Sequence, residues 1–217
     1  MSKKDRHLKV VISVSAILGS ALVIVAALGI MDYLKVTQSG EEYPSTEVVQ
    51  TSVVTSEKAP PAISEEYSVP ATQPRVIEIP SIDVKAYIQK VGVASDGAMA
   101  TPNNLFFTGW YTQSVVPGDT GVSIINGHVG GRYNAGIFRY LKDLEKDAVI
   151  KVQLGDLSWR EFAVVSVNAY AVNDAAAPLF NDDVTIDSEL HLITCDGVFD
   201  DATQTYDQRV IVVARAN

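Results

Sequence analysis

An all-β fold, a barrel or sandwich with one or two short helices, is what this sequence predicts for residues 75–217. Three observations predict it. Seven or eight short runs rich in Val and Ile alternate apolar with polar residues, the period-2 pattern of strands. Gly-Asp, Asp-Gly and Pro-Gly pairs punctuate those runs. Helical spacing of apolar residues is confined to a short stretch, residues 137–144, too little for a mixed fold. No internal repeat is visible.

Two segments precede the β-rich part. Residues 1–9 carry Lys3, Lys4, Arg6 and Lys9 against Asp5, and residues 10–30 carry no charge. At about 1.5 Å per residue that apolar run spans ~31 Å, the thickness of a bilayer core. We expect a transmembrane signal-anchor helix at residues 10–30, with the basic tail cytoplasmic and the rest extracytoplasmic by the positive-inside rule. A cleaved signal peptide is the rival, but the run exceeds the usual ~7–15 apolar residues and no clean Ala-x-Ala site precedes the first charge. No cysteine lies near residue 30, which excludes a lipoprotein. Residues 31–74 are rich in Ser, Thr, Glu, Val and Pro, with Pro60-Pro61 and no sustained period. They read as a flexible extracytoplasmic linker, with a coil span of about 35 Å.

From Arg75 the elements follow in order. Val76 to Ile79 alternates and stops at Pro80, a short strand; residues 84–88 form a second. Asp96-Gly97 marks a turn and Thr101-Pro102-Asn103-Asn104 a loop. Residues 121–128 form a strand that runs out at Gly127-His128. Residues 137–144 predict a short helix. Residues 149–154 and 159–171 are strands joined through Gly155-Asp156, a hairpin signal. Residues 175–189 read as a long acidic loop. Residues 190–194 and 210–214 are the last strands, and residues 196–201 read as a loop after the first of them.

The formal net charge of −9 argues against a nucleic-acid partner. A single cysteine, Cys195, excludes an internal disulfide and a thiolate zinc cluster. It sits where the strand His191-Leu192-Ile193-Thr194 ends, so a scaffold can hold the thiol while a ligand reaches it. Two other polar groups end or open strands: His128 after Gly127, and Arg209 after Gln208.

These pieces together resemble the sortase family. The resemblance rests on the strand ending in Gly127-His128, on Gly136-Ile137-Phe138 with Leu141 and Leu144, on Leu192-Ile193-Thr194-Cys195, and on the closing Gln208-Arg209-Val210-Ile211-Val212-Val213-Ala214. The order His, Thr-Cys, Arg before a final strand is a compound signal. Trp110 and the Pro117-Gly118-Asp119 turn look most like class F sortases. Two departures stand out: Thr-Cys-Asp-Gly replaces the Thr-Cys-Gly-Gly usual in that class, and Lys146-Asp147 replaces Gly-Asp after the short helix. The resemblance implies a closed eight-stranded barrel and a cysteine transpeptidase. Such an enzyme cuts an LPxTG-like sorting motif between Thr and Gly through a thioester and joins the protein to a cell-wall or pilin amine. By position, it makes Cys195 the nucleophile, His128 the acid/base, Arg209 the oxyanion partner and Thr194 a substrate-positioning residue. It implies no cofactor.

The chemistry is consistent with those roles. Acyl transfer through cysteine needs a thiolate, a proton donor for the leaving amine, and positive charge or N–H groups for the oxyanion. With ordinary pKa values near 8.5 and 6.5, about 3% of the thiol and about 24% of the imidazole would be charged at pH 7, and under about 1% of molecules would hold both charges at once. The site either shifts these values toward an ion pair or works from a small competent fraction. Asp196 beside the thiol would push its pKa up and Arg209 would push it down.

Each residue also has an ordinary reading: a core cysteine, a turn histidine, a solvated arginine. His191 shares a strand face with Ile193 and Cys195, which makes it a rival histidine. The acids Asp182, Asp183, Asp187 and Glu189 are expected to be a solvated loop, with a calcium site as the alternative. The motif of L,D-transpeptidases is absent, and papain-like peptidases place Cys before His, the reverse of the order here. A non-catalytic, membrane-tethered β-domain binding an envelope component is the rival from another class.

Overall fold

Apolar residues at alternate positions of eight strands meet in one interior, and this closes the sheet. The computed structural model describes residues 43–50, 55–180 and 187–216. The strands are β1 (Pro74–Ile79), β2 (Val84–Val91), β3 (Thr108–Tyr111), β4 (Val122–Gly127), β5 (Val149–Leu154), β6 (Trp159–Ala171), β7 (Glu189–Asp200) and β8 (Thr205–Ala216). They form a closed barrel in the order β1-β2-β3-β4-β7-β8-β6-β5. Two neighbour pairs are parallel, β2 with β3 and β4 with β7, and the rest are antiparallel. Closure gives each described strand a neighbour on both sides within the barrel.

The interior is filled by Ile77, Ile125, Ile150, Phe162, Leu192 and Val212 among others, all fully buried. Each contributes about 1.5–3 kcal/mol by leaving water. On β7 the even-numbered Leu190 and Leu192 point inward, while Ile193 belongs to a second apolar cluster on the outside of the wall, with Tyr111, Ile124, Ile211 and Leu179. That second cluster floors the site.

Several expectations need correction. Residues 137–144 form no α-helix but a run of turns around one 3-10 turn, Leu141–Asp143. Phe138, Leu141 and Leu144 are buried at intervals of three, which is the 3-10 repeat. Residues 196–201 are not a loop: β7 runs through to Asp200 as a twisted ribbon with β8, with a register shift between Asp196 and Phe199. The 175–189 segment contains a one-turn helix, α1 (Ala176–Leu179), and residues 181–186 lie outside the described part. Strand β3 was not anticipated.

The expected linker is also corrected. Within residues 31–74, the described residues 43–50 and 55–73 lie along the barrel. Val49 bridges Val91 and Ser56 bridges Asn104. Tyr43 and Tyr67 join Tyr87 and Phe107 in an aromatic cluster. The buried Arg75 guanidinium donates to the Tyr67 carbonyl (2.6 Å), the Ser64 carbonyl and Gln153 Oε1 (2.7 Å). The segment is a strap: its tyrosines and Ile63 supply the apolar contacts that its Ser- and Glu-rich composition conceals. Among the described residues no helix is long and apolar enough to cross a membrane. The expected span at residues 10–30 lies outside them.

Candidate active site

Strand register brings the three candidate groups side by side. In the parallel β4–β7 pair, Asn126 lies opposite Ile193. Two residues further on, His128 comes level with Cys195. In the antiparallel β7–β8 pair, Cys195 lies directly opposite Arg209. Side chains alternate along a strand, so His128, Cys195 and Arg209 share the outer face of three adjacent strands. Gly127 permits this approach, because a Cβ there would come within 2.6 Å of the Phe138 ring. All three residues line a cavity of about 410 Å³ whose other walls include Met99, Tyr111, Leu179, Phe180 and Ile193.

Pro102 fixes the imidazole. His128 Nε2 lies 2.8 Å from the Pro102 carbonyl. A carbonyl only accepts, so Nε2 carries the proton and Nδ1 is the nitrogen left without one in the neutral ring. Burial pushes the His128 pKa down, against the raising effect of the Pro102 bond. Burial pushes the Cys195 thiol up, and the Arg209 charge only partly offsets this. Both shifts disfavour a resting thiolate–imidazolium pair. These directions favour the second alternative from the sequence, a neutral pair with a small charged fraction.

Arg209 is braced. Its Nη1 donates to the carbonyls of Tyr206 (2.9 Å) and Gln208 (2.8 Å), and its Nη2 to Thr205 Oγ1 (3.1 Å). These bonds use three of its five N–H donors; Nε–H and one Nη2–H take no part in them. Asp196, the feared neighbour of the thiol, is paired with Lys142 from the 3-10 turn at 3.0 Å. Burial and Arg209, not Asp196, set the direction of the Cys195 shift.

Thr194 also lines the cavity, yet its hydroxyl is committed, donating to the Gly127 carbonyl at 2.8 Å. It ties β7 to the residue before His128, so its visible contact holds the machinery together. His191 does not join the cavity. It is buried, with Nδ1 2.9 Å from the Leu179 carbonyl and Nε2 3.2 Å from Glu189 Oε2. Glu189 in turn receives Arg215 Nε at 2.7 Å. The rival histidine is thus a fastener for α1, and Glu189 is a buried ion-pair residue rather than part of a solvated loop. Among the described residues no group of three or more His, Cys, Asp or Glu could hold a metal ion; Asp182 and Asp183 lie outside those residues. Sequence reasoning missed Pro102 and Lys142, and only register and turn geometry reveal them.

A thiol, an imidazole and a guanidinium line one largely apolar cavity on the wall of a closed barrel. The Sortase domain profile matches residues 77–217. The chain belongs to the sortase family, whose members are cysteine transpeptidases that anchor or join proteins. A comparison with curated proteins finds no match. Among solved structures it is similar to sortase A from Corynebacterium diphtheriae, at 23% identity and TM-score 0.50, covering 65% of this chain and 59% of that one. It is also similar to Listeria monocytogenes sortase A, at 22% and 0.50, covering 68% and 88%. The pilus-related sortase C of Group B Streptococcus matches at 18% and 0.51, covering 77% and 81%. At these identities the structural likeness establishes the fold.

Proposed function

We propose that this chain is a membrane-anchored transpeptidase that cleaves an LPxTG-like sorting motif between Thr and Gly and transfers the new carbonyl to an amine of the cell wall or of a pilin. One observation carries the reading: Cys195, His128 and Arg209 stand abreast on β7, the end of β4 and β8, over an apolar cavity. Cys195 Sγ attacks the Thr carbonyl. His128, protonated at Nδ1 in the competent fraction, gives that proton to the leaving glycine amine as the C–N bond breaks. The free N–H donors of Arg209 meet the oxyanion, with the main-chain N–H after Cys195 as a natural second donor. The apolar walls suit the Leu and Pro side chains of the motif. The chemistry needs no cofactor. The class F assignment is supported by Trp110, whose Nε1 donates to the Val115 carbonyl at 3.1 Å, and by the nearby Pro117-Gly118-Asp119 turn.

The test is a fluorogenic LPxTG peptide with the full-length protein. Wild type should release the C-terminal half and form a hydroxamate when hydroxylamine is added, and Cys195→Ala should do neither. Binding of the peptide without cleavage would sink the enzymatic reading and favour the non-catalytic one. Fractionation of the full-length protein with membranes checks the anchor; a soluble secreted form starting near Asp32 would reject it.

A further inference from the structure

His128 is shared by two cavities, and the transpeptidase reading uses only one. The second, of about 540 Å³, is lined by Thr55 and Glu57 of the strap, by Leu105, and by Gly130, Gly131, Arg132 and Tyr133 of the loop after β4. Its size falls in the range of ligand pockets. His128 is the one residue lining both cavities.

A transpeptidase brings two substrates to one thioester. The sorting peptide fills the cavity at Cys195, so the acceptor must come from another side and pass the base before reaching the carbonyl. We propose that the cavity between the strap and the loop after β4 is the entry port for the acceptor, a primary amine at the end of an unbranched chain, and that Glu57 draws in its ammonium group. This deepens the proposed function and rests on it.

Glu57 is built into the site. Its Oε1 accepts the Arg132 N–H (2.6 Å), and its Oε2 accepts the Tyr133 N–H (3.1 Å) and Asn134 Nδ2 (3.0 Å). Gly131 allows the approach, since a Cβ there would lie 2.5 Å from Oε1. Desolvation works to raise the Glu57 pKa, but the bonds from Arg132, Asn134 and Tyr133 together reverse it, and the carboxyl lies below its ordinary range. It is ionised at neutral pH, and with the N–H groups of Arg132, Tyr133 and Asn134 and the Asn134 side chain already holding it, it acts on an approaching ammonium through its charge. The opposing charge is Arg132, whose guanidinium lies 6.0 Å from the Tyr133 ring centroid. The two lining charges therefore sum to zero, and removing either leaves the cavity with one sign.

The chemistry balances. The ammonium gives one proton to solvent and the amine lone pair attacks the thioester carbonyl. A second N–H proton passes to His128 Nδ1 as the C–S bond breaks. Cys195 leaves as the thiolate, and the amide product carries the original Thr carbonyl.

The test measures the ratio of transpeptidated to hydrolysed sorting peptide for the full-length protein. Triglycine amide and Nα-acetyl-lysine amide serve as cationic acceptors and hydroxylamine as a neutral one. Glu57→Gln should lower the ratio for a cationic acceptor about fivefold, and Arg132→Gln should raise it about threefold, the scale of one partly screened charge. The loss with hydroxylamine should be at least threefold smaller. The two cationic arms distinguish an α-amine on a glycine chain from a lysine-type side-chain amine. Equal losses with all three nucleophiles, or none, would overturn the proposal and leave Glu57 as a fastener of the strap. If wild type forms no thioester, the transpeptidase reading fails separately. The port is then read on full-length Cys195→Ala by hydrogen exchange: slowed exchange at residues 130–134 with triglycine amide supports it, and unchanged exchange rejects it.

Discussion

At the scale of single residues, the site sets the pH at which Cys195 reacts. Burial raises the thiol pKa and Arg209 lowers it. The rate of iodoacetamide alkylation should therefore climb with pH through a midpoint above the ordinary value near 8.5. Arg209→Gln should move that midpoint higher still, because it removes the lowering charge and keeps the desolvation. A wild-type midpoint below the ordinary value would mean a resting ion pair. The kcat/KM profile should be broad, with an acid limb below the usual histidine pKa, since burial depresses His128, and an alkaline limb above the usual thiol value. Arg209→Lys is a separate test. It keeps a charge but loses the planar fork, and its ammonium cannot both brace on the β8 turn and direct two donors into the cavity. We expect a loss of about 2.7–4 kcal/mol, roughly 10²–10³ in rate, mainly in kcat. Retention within about threefold would leave Arg209 as a structural cation. Residue types and order marked Cys195, His128 and Arg209 in the sequence. The partners that tune them were hidden, because Pro102 acts through a carbonyl and Lys142 through a turn.

At the scale of elements, the wall of the substrate cavity depends on one buried histidine. Helix α1 has a single turn and no side-chain cap, so it is too short to persist alone. His191 holds its last carbonyl, that of Leu179, and Glu189 holds His191 from behind. Both ring nitrogens face acceptors, the Leu179 carbonyl and the Glu189 carboxylate. His191→Ala should cost about 1–3 kcal/mol, because the buried Glu189 Oε2 loses its partner while Arg215 still holds Oε1, and should loosen the wall formed by Leu179 and Phe180. We expect a raised KM for the sorting peptide with a smaller change in kcat, measured by steady-state cleavage; an equal fall in kcat would place His191 in the chemistry. Alternation and β-branching made β1, β5, β6 and most of β7 and β8 readable. Residues 137–144 misled because an apolar spacing of three serves a 3-10 turn as well as a helix. Asp196-Gly197 looked like the start of a loop because polar residues on an exposed ribbon carry no apolar alternation, while Gly197 has the positive φ of 86° that the bulge requires. Strand β3 is four residues long and contains Gly109, so no period could emerge.

At the scale of the whole molecule, the barrel does not end where its strands begin. Closure in the order found needs two parallel crossovers, and sequence periodicity is silent on which strands neighbour one another; the compound His, Thr-Cys, Arg order supplied that indirectly, through its resemblance. The strap could not be read, because single tyrosines spaced along a Ser- and Pro-rich stretch form no face until Tyr87 and Phe107 are there to receive them. Its energetic role follows from its contacts. Tyr67 meets the Tyr87 ring edge to face, 4.8 Å between centroids, and donates its hydroxyl to the Ile88 carbonyl at 3.1 Å. The Tyr87 hydroxyl donates to the Ala62 carbonyl at 2.9 Å. A fragment starting at Arg75 loses all of this, bares Tyr87 and Phe107, and leaves the Arg75 guanidinium with Gln153 alone of its three partners. Losing one buried tyrosine and two hydrogen bonds to a charged group amounts to about 3–5 kcal/mol after resolvation of the guanidinium. That is a large part of the ~5–15 kcal/mol total of an ordinary domain. At about 2–4 °C per kcal/mol, the 75–217 fragment should melt roughly 10 °C below the 43–217 fragment. Thermal unfolding followed by circular dichroism measures the difference. Equal midpoints would show that the strap merely rests on the barrel, and the catalytic unit would then begin at β1.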